Sequence, residues 1–383
     1  MTTEELHNHL AEFTLNDSSN SSLKRKTKLE HFELEGIRVP RFVNEFWTSK
    51  QRQNNPIHEV SYRACFKAEL PRFFIKLLTK EKDVVYDPFA GRGTTIIEAA
   101  LLNRNIIAND INPLSTIFSK PRLFIPSYDE VEERLNKIKF RKGLKADIDL
   151  SMFYHPYTES EIVSLRNYLI KRERNEVEDF IDSWIRMVAT NRLTGHSKNF
   201  FSVYTLPPNQ AVSQERQNKI NNQRKQKPAY KDVKYIILKK TRDLTSGLNK
   251  KFITQLKAIG SKARFLNDDA RATPGIKSNF VNLTITSPPF LNIVNYSEDN
   301  WLRCWFNNID ANKVAQNVTI AKKLEDWEKA MREVFQELYR ITKRGGHVAF
   351  EVGEVRSGKV KLDEHIVPLG MIAGFECLGI VIN

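Results

Sequence analysis

Ser287-Pro288-Pro289-Phe290 sets a hydroxyl, a rigidly directed carbonyl and an aromatic face within four consecutive residues. That set suits a planar ring carrying an exocyclic amino group. The lone pair of such a nitrogen is delocalised into the ring, which makes it a poor nucleophile. Acceptors aimed at its two hydrogens favour a more pyramidal nitrogen. Ser287 Oγ and the Pro288 carbonyl can supply them, with the proline ring fixing the carbonyl's direction. The face of Phe290 can stack on the ring. Pro-Pro behind an apolar run also ends strands simply because proline has no N–H to donate. This pair differs in its place, at the tip of a strand-like run between a polar and an aromatic residue.

A second constellation surrounds Asp87-Pro88-Phe89-Ala90-Gly91-Arg92-Gly93-Thr94-Thr95. Glycines between a strand and a helix let the backbone turn sharply and approach a ligand. A phosphate-binding P-loop needs Gly-Lys-Ser/Thr, but Thr94-Thr95 follow Gly93. A dinucleotide fingerprint needs a third glycine, but Ile96 stands there. S-adenosylmethionine remains, a ligand with a sulfonium and an ammonium but no phosphate. Asp87 at the first strand end suits its charge. Asp110 at the next suits a ribose diol, and Asp269, with Asp268 second, suits the adenine amino group. Each acid alone is more often a helix cap or a solvated turn. Three at successive strand tips, beside the glycine turn, read as one site.

The elements that must position these residues follow from the apolar pattern. Five short strand-like runs appear at 84–86, 105–108, 263–266, 281–285 and 347–350, with helical patterns at 66–79, 94–103, 325–342 and 362–373. Strand and helix in alternation, with short apolar strands, predict an α/β fold built on a parallel sheet covered on both faces. About 150 residues separate the second and third runs, far more than a crossover needs. Residues 122–255 are therefore expected to be an inserted, mostly helical domain. Its helical stretch at 158–193 opens on a capping box from Thr158 to Glu161, and a mobile basic loop is expected near 213–230. Residues 1–57 read as an N-terminal arm, flexible over 1–25, leaving 58–121 and 256–383 as the catalytic domain. One more strand fits at 375–382. The usual closing antiparallel strand has no segment left, so either the sheet edge is open or the chain is a truncated form.

Charge narrows the partner. The formal net charge is +14, and residues 213–262 hold 14 Lys and Arg against 3 Asp and Glu, or +11 of that total. A basic block this concentrated points to a polyanion, although a solvated basic face reads the same way. Arg216, Lys219, Arg224, Lys225 and Lys227 are the candidate nucleic-acid contacts. Cys65, Cys304 and Cys377 are far apart with no metal-ligand spacing, so reduced thiols are expected and no metal site. The polar first 30 residues and the absence of any apolar run near ~20 residues predict a cytoplasmic protein without a membrane partner.

The two motifs, DPFAGRGTT at 87–95 and TSPPF at 286–290, resemble those of the bacterial amino-group DNA methyltransferases of restriction-modification systems. The resemblance covers roughly 58–120 and 255–383. It implies a Rossmann-like S-adenosylmethionine-dependent methyltransferase sheet with a large, mostly helical insertion. It also implies base flipping in double-stranded DNA and direct in-line transfer, with S-adenosylmethionine as cofactor. Asp87, Phe89, Ala90, Gly91 and Gly93 would line the cofactor, with Pro88 and Thr94 in the same turn; Asp110 would hold the ribose, and Asp269 of Asp-Ala-Arg would meet the adenine. The helix near Phe66-Lys67 is similar to the family's segment beside the methionine end of the cofactor. Ser-Pro-Pro-aromatic is typical of N4-cytosine enzymes, and Asp- or Asn-Pro-Pro-aromatic of N6-adenine enzymes. N4-cytosine is thus the favoured target and N6-adenine the alternative. An RNA base methyltransferase and an inactive DNA-binding subunit stand further off. The resemblance leaves room for a cognate restriction endonuclease as a partner. It does not fix the recognition sequence or the oligomeric state.

Overall fold

The computed structural model describes residues 2–15, 26–34, 36–47, 55–63, 65–207, 210–289, 296–317, 323–355 and 360–383. Among these described residues the strands are β1 (Lys28–Leu34), β2 (Ile37–Val43), β3 (Val84–Asp87), β4 (Asn105–Asn109), β5 (Arg264–Leu266), β6 (Val281–Thr286), β7 (Thr342–Phe350), β8 (Glu354–Val355), β9 (Val360–Lys361) and β10 (Ile380–Ile382). The helices are α1 (Thr3–Ala11), α2 (Glu69–Leu78), α3 (Thr94–Leu101), α4 (Leu114–Ser119), α5 (Tyr128–Lys137), α6 (Pro156–Arg174), α7 (Phe180–Arg192), α8 (Gln214–Arg224), α9 (Val233–Thr245), α10 (Lys250–Gly260), α11 (Tyr296–Phe306), α12 (Ala311–Asn317), α13 (Leu324–Ile341) and α14 (Leu362–Ile372). None of these is long and apolar enough to cross a membrane.

The five runs read from the sequence form one parallel sheet in the order β5-β4-β3-β6-β7. This is the Rossmann-like α/β arrangement, and the order reverses between β3 and β6, so all ligand-facing tips lie at one end. Side chains on a strand alternate between faces. Val85, Ile106, Leu283 and Ile285 pack on one side in a cluster shared with α3. Tyr86 and Ile107 pack on the other with Trp327, Met331, Val334, Phe335 and Leu338 of α13 and Leu362, Ile366 and Leu369 of α14. Val281, at the start of β6, also belongs to this second cluster. Each such side chain contributes roughly 1.5–3 kcal/mol on full burial.

The first 57 residues depart from the expected arm. Helix α1 carries a capping box between Thr2 and Glu5 and buries Leu6 and Leu10 against Phe42 and Phe46. The hairpin β1-β2 takes up β10 as its third strand, parallel to β2, with Ile380 opposite Arg41. The last strand thus joins an N-terminal sheet instead of extending the parallel one. The rest of the expected arm, 16–25 and 48–54, lies outside the described residues.

The segment 122–255 is helical, yet its core is continuous with that of the sheet. Leu123, Val131, Trp184, Val188, Ile236 and Ile237 belong to the same cluster as Ile97 and Ile106. Asp182, fully buried, gathers Arg134, Arg172 and the Tyr168 hydroxyl around the start of α7. Two local expectations are corrected. Helix α6 starts before Thr158, with Pro156 in its first turn and His155 as the cap. Thr158 and Glu161 instead bond to the backbone of Lys231 and Val233, because that loop needs partners for its N–H groups. The expected mobile loop contains α8, capped by Ser213 and moored by Gln217 to the Tyr204 carbonyl and by Asn221 to the Met152 carbonyl.

Candidate active site

The two motifs meet because β3 and β6 are neighbours, paired through Val85–Leu283 and Tyr86–Thr284. At their tips the Thr286 hydroxyl donates to Asp87 Oδ1 at 2.7 Å, and Phe89 N–H donates to the same oxygen at 3.1 Å. Asp87 is almost completely buried, and that burial raises its carboxyl to about 7. It braces the turn from inside.

The turn itself needs its glycines for different reasons. Gly91 has φ +50°, and its N–H donates to Asp110 Oδ2 at 2.8 Å. Gly93 has φ +79° and starts α3; a Cβ there would stand 2.5 Å from the Ser119 Cβ. Its missing side chain therefore makes room for α4, where the sequence suggests a close approach to a ligand. Thr94 is buried and accepts from Arg92 Nε at 3.1 Å. Arg122, fully buried, donates to the carbonyls of Phe118, Ile57 and Arg92, and burial lowers it to about 9. Pro88, Phe89 and Ala90 form the bend between Asp87 and Gly91, with Ala90 N–H bonded to the Asn109 carbonyl.

Asp110 accepts from Gly91 N–H and, at 2.9 Å, from Asn112 N–H. Its carboxyl is raised to about 6 by burial. Each oxygen keeps a second lone pair, so the group can still accept from a diol. At the β5 tip the two aspartates differ. Asp269 is clamped by Arg271, with Nη2 to Oδ2 at 2.5 Å, and the hydrogen bond holds its carboxyl below the usual range. Among the described residues none hydrogen-bonds to the Asp268 carboxylate, which is half-buried. Asn109, which sequence reasoning passed over, staples these turns. Its amide donates to the Pro88 and Asp268 carbonyls at 3.2 and 2.9 Å and accepts from Asp268 N–H at 2.9 Å.

On the other side of Asp87, Ser287 and Pro288 continue β6, and the Pro289 carbonyl accepts from Trp327 Nε1 at 2.9 Å. Phe290 lies outside the described residues. Ser287 lies beside Glu351, whose carboxyl burial pushes above its ordinary value. Glu351 itself is fixed by its N–H to the Thr286 carbonyl at 2.8 Å. It is a further acid at a strand tip, one residue past β7. That position was a readable signal, as was Trp327 on the apolar stripe of α13. Among the described residues no group of His, Cys, Asp and Glu is placed to hold a metal ion.

Arg216, Lys219 and Arg224 lie on α8, and Lys225 and Lys227 just beyond it, and all five are exposed. Arg224 also stacks on Tyr204 at 3.8 Å. Other members of the basic block serve the fold: Lys240 is buried 3.4 Å from Glu59 and Arg242 lies over Tyr128. The helix after the Ser-Pro-Pro tip is bolted to the neighbouring segments. Asp299 of α11 pairs with Arg63 at 2.7 Å, and its backbone carbonyl accepts from Ala211 N–H. Trp301 donates to the Val212 carbonyl at 3.2 Å.

Comparison with known proteins is consistent with this geometry. The N6/N4 methyltransferase family model, described as DNA methylase, matches residues 13–116. The chain is 23% identical over 302 residues to the Type II methyltransferase M.BsoBI of Geobacillus stearothermophilus, covering 72% of this chain and 57% of that protein. It is 27% identical over 169 residues to the Type II methyltransferase M.MvaI of Kocuria varians, covering 38% and 36%. A 43-residue stretch is 49% identical to the Type II methyltransferase M.HindIII of Haemophilus influenzae, covering 11% and 14%. The chain thus spans little more than half of the first relative's length and less of the others. With the glycine turn and the Ser-Pro-Pro tip side by side on a Rossmann-like sheet, these matches support a likeness to the amino-methyltransferase family of restriction-modification systems.

Proposed function

We propose that this chain transfers a methyl group from S-adenosylmethionine to the exocyclic N4 of cytosine in double-stranded DNA. The observation that carries the reading is the bond between Asp87 and Thr286, which sets a cofactor-type turn directly against a Ser-Pro-Pro tip. The residues present fit the donor: Asp110 keeps free acceptor capacity for a diol, and Asp268 for an amino group. Asp269, first choice from the sequence, has its oxygens committed to Arg271. When bound, the donor supplies an activated methyl on a positively charged sulfur.

The chain's own residues prepare the acceptor. Ser287 lies beside Glu351, so its hydroxyl can donate to that carboxylate and keep its lone pairs for an incoming amino group. Those lone pairs and the Pro288 carbonyl face an amino group placed at the tip. The Trp327–Pro289 bond holds the tip's direction. As the nitrogen gains a methyl it must lose a proton, and the Ser287–Glu351 pair is the acceptor at hand. Its raised proton affinity suits that task. Orientation and field provide the rest of the rate.

The target base must leave the duplex to reach this cleft. The exposed cations of 216–227 are the proposed backbone contacts, and the helical segment 122–255 is the proposed DNA-recognition region. The favoured base is cytosine because a serine opens the tip; N6-adenine is the second reading, since the family includes both. A cytoplasmic location and a paired restriction endonuclease belong to the same proposal. Incubation of the chain with duplex DNA and methyl-labelled donor tests it. Label in the DNA is expected, and binding of DNA without label would leave an inactive DNA-binding subunit.

A further inference from the structure

Three aromatic rings stand together on the surface where α6 begins. Tyr157 and Tyr230 meet edge to face at 6.5 Å, and the His155 ring lies 5.3 Å from the first and 6.1 Å from the second. Tyr157 is 56% exposed and Tyr230 49%. Single exposed tyrosines are ordinary. These differ in being held in place. The Tyr230 hydroxyl donates to Glu161 Oε1 at 2.8 Å, and the other oxygen of that carboxylate accepts from Val233 N–H at 2.9 Å. Lys231 N–H donates to the Thr158 hydroxyl at 2.7 Å, and that hydroxyl donates to the Lys231 carbonyl at 2.9 Å. His155 caps α6 through Nδ1, which accepts from Tyr157 N–H at 3.2 Å.

The surroundings of the three rings are cationic. Residues 224–234 hold five Lys and Arg against one acid, Asp232, whose side chain caps α9. Glu161 is committed to Tyr230 and Val233. Lys225 and Lys227, both exposed, begin the loop that leads to Tyr230. The patch is also tied to the helix that follows the Ser-Pro-Pro tip. Phe153, two residues before His155, meets Trp301 of α11 with ring centroids 6.0 Å apart.

Flat, half-exposed rings beside cations match a nucleic-acid strand whose bases are unpaired. A base inside a duplex shows only its edges, because its neighbours cover its faces. A base out of the stack offers a face, and stacking on it tolerates any sequence. Rings already fixed lose little freedom when they are covered. A proline-rich peptide also docks on aromatic surfaces, but it gives the cations nothing to pair with.

We propose that His155, Tyr157 and Tyr230 form a stacking platform for an unpaired base of the DNA, with Lys225 and Lys227 on the flanking phosphates. This inference rests on DNA as the partner, and it does not depend on which base is methylated.

Binding of the full chain to a short oligothymidylate and to a fully paired duplex tests it. Thymine has no exocyclic amino group, so the Ser-Pro-Pro tip does not select this probe. Tyr157→Leu keeps an apolar side chain at an exposed helical position and removes the flat face. It is expected to weaken the oligothymidylate about tenfold with an unchanged salt slope, and the duplex less than about twofold. Tyr157→Phe is expected to bind both probes as the parent does. Equal weakening of both probes, an equal loss in Tyr157→Phe, or no loss in Tyr157→Leu would overturn the platform and leave the DNA reading standing. So would an oligoproline peptide that the parent binds and Tyr157→Leu does not. A parent that binds neither nucleic acid would end the DNA reading as well.

Discussion

The Thr286 hydroxyl stands 2.7 Å from the Asp87 carboxylate, and this bond ties together the tips of the paired strands that carry the glycine turn and the proline pair. Both groups are buried. Thr286→Val keeps the β-branched shape and removes the donor. The loss of one buried hydrogen bond to the acid is expected to cost about 1–3 kcal/mol of stability and to lower methyl transfer by about tenfold or more. Denaturant unfolding and initial rates check both, and an unchanged rate would mean that the junction does not set the geometry of the tip.

Ser287→Ala and Glu351→Gln alter the two neighbouring polar groups at the tip. Each is expected to lower turnover by roughly 10²-fold or more while donor affinity stays within a few-fold. The double variant is expected to lose little beyond either single one, as groups that act as a unit do. Multiplying losses would show that Glu351 works independently of Ser287.

The aspartates at the β5 tip give a discriminating pair. Asp268→Ala is expected to weaken donor binding by about tenfold, as is Asp110→Ala, since each removes charge-assisted hydrogen bonds to the ligand. Asp269→Ala is expected to change affinity little, because its oxygens are taken by Arg271. Calorimetric titration of the three variants decides the order.

Neutralising Arg216, Lys219, Arg224, Lys225 and Lys227 together is expected to weaken DNA binding. The slope of log affinity against log salt should flatten by about 0.9 for each phosphate that the chain no longer neutralises. A slope equal to the parent's would leave these five as solvated surface.

Asp87, raised to about 7, and Asp110, raised to about 6, give the unliganded chain a defined pH response. Between an ordinary carboxylate value near ~4 and pH 7 the folded state holds more protons than the unfolded one. Stability therefore falls as pH rises through that window. Asp87→Asn is expected to flatten the upper part of the fall. A Tm that rises from pH 5 to 7 in the parent would contradict the assigned burial.

The parallel sheet was legible because its signals are local: short apolar runs such as Val84–Tyr86 and Asn105–Ala108, each closed by an acid. The N-terminal sheet was not. Its strand β2 contains Pro40, which argues against a strand in any local reading. Pro40 is tolerated because β10 pairs with β2 only from Arg41 onward, so its missing N–H faces no partner there. That partner lies more than 300 residues away in sequence. Helix α8 was hidden for a similar reason. Its polar sequence has no apolar stripe, and its moorings, the carbonyls of Tyr204 and Met152, come from other parts of the chain. Within the site, residue types identified the acids, but only the structure separates Asp268 from Asp269, since the difference is made by Arg271.

The most direct measurement is the identity of the modified nucleoside. Duplex DNA treated with the chain and donor is digested to nucleosides and analysed by mass spectrometry. N4-methylcytosine is the expected product, at a fixed sequence context. N6-methyladenine, or methylation confined to RNA, would contradict the account.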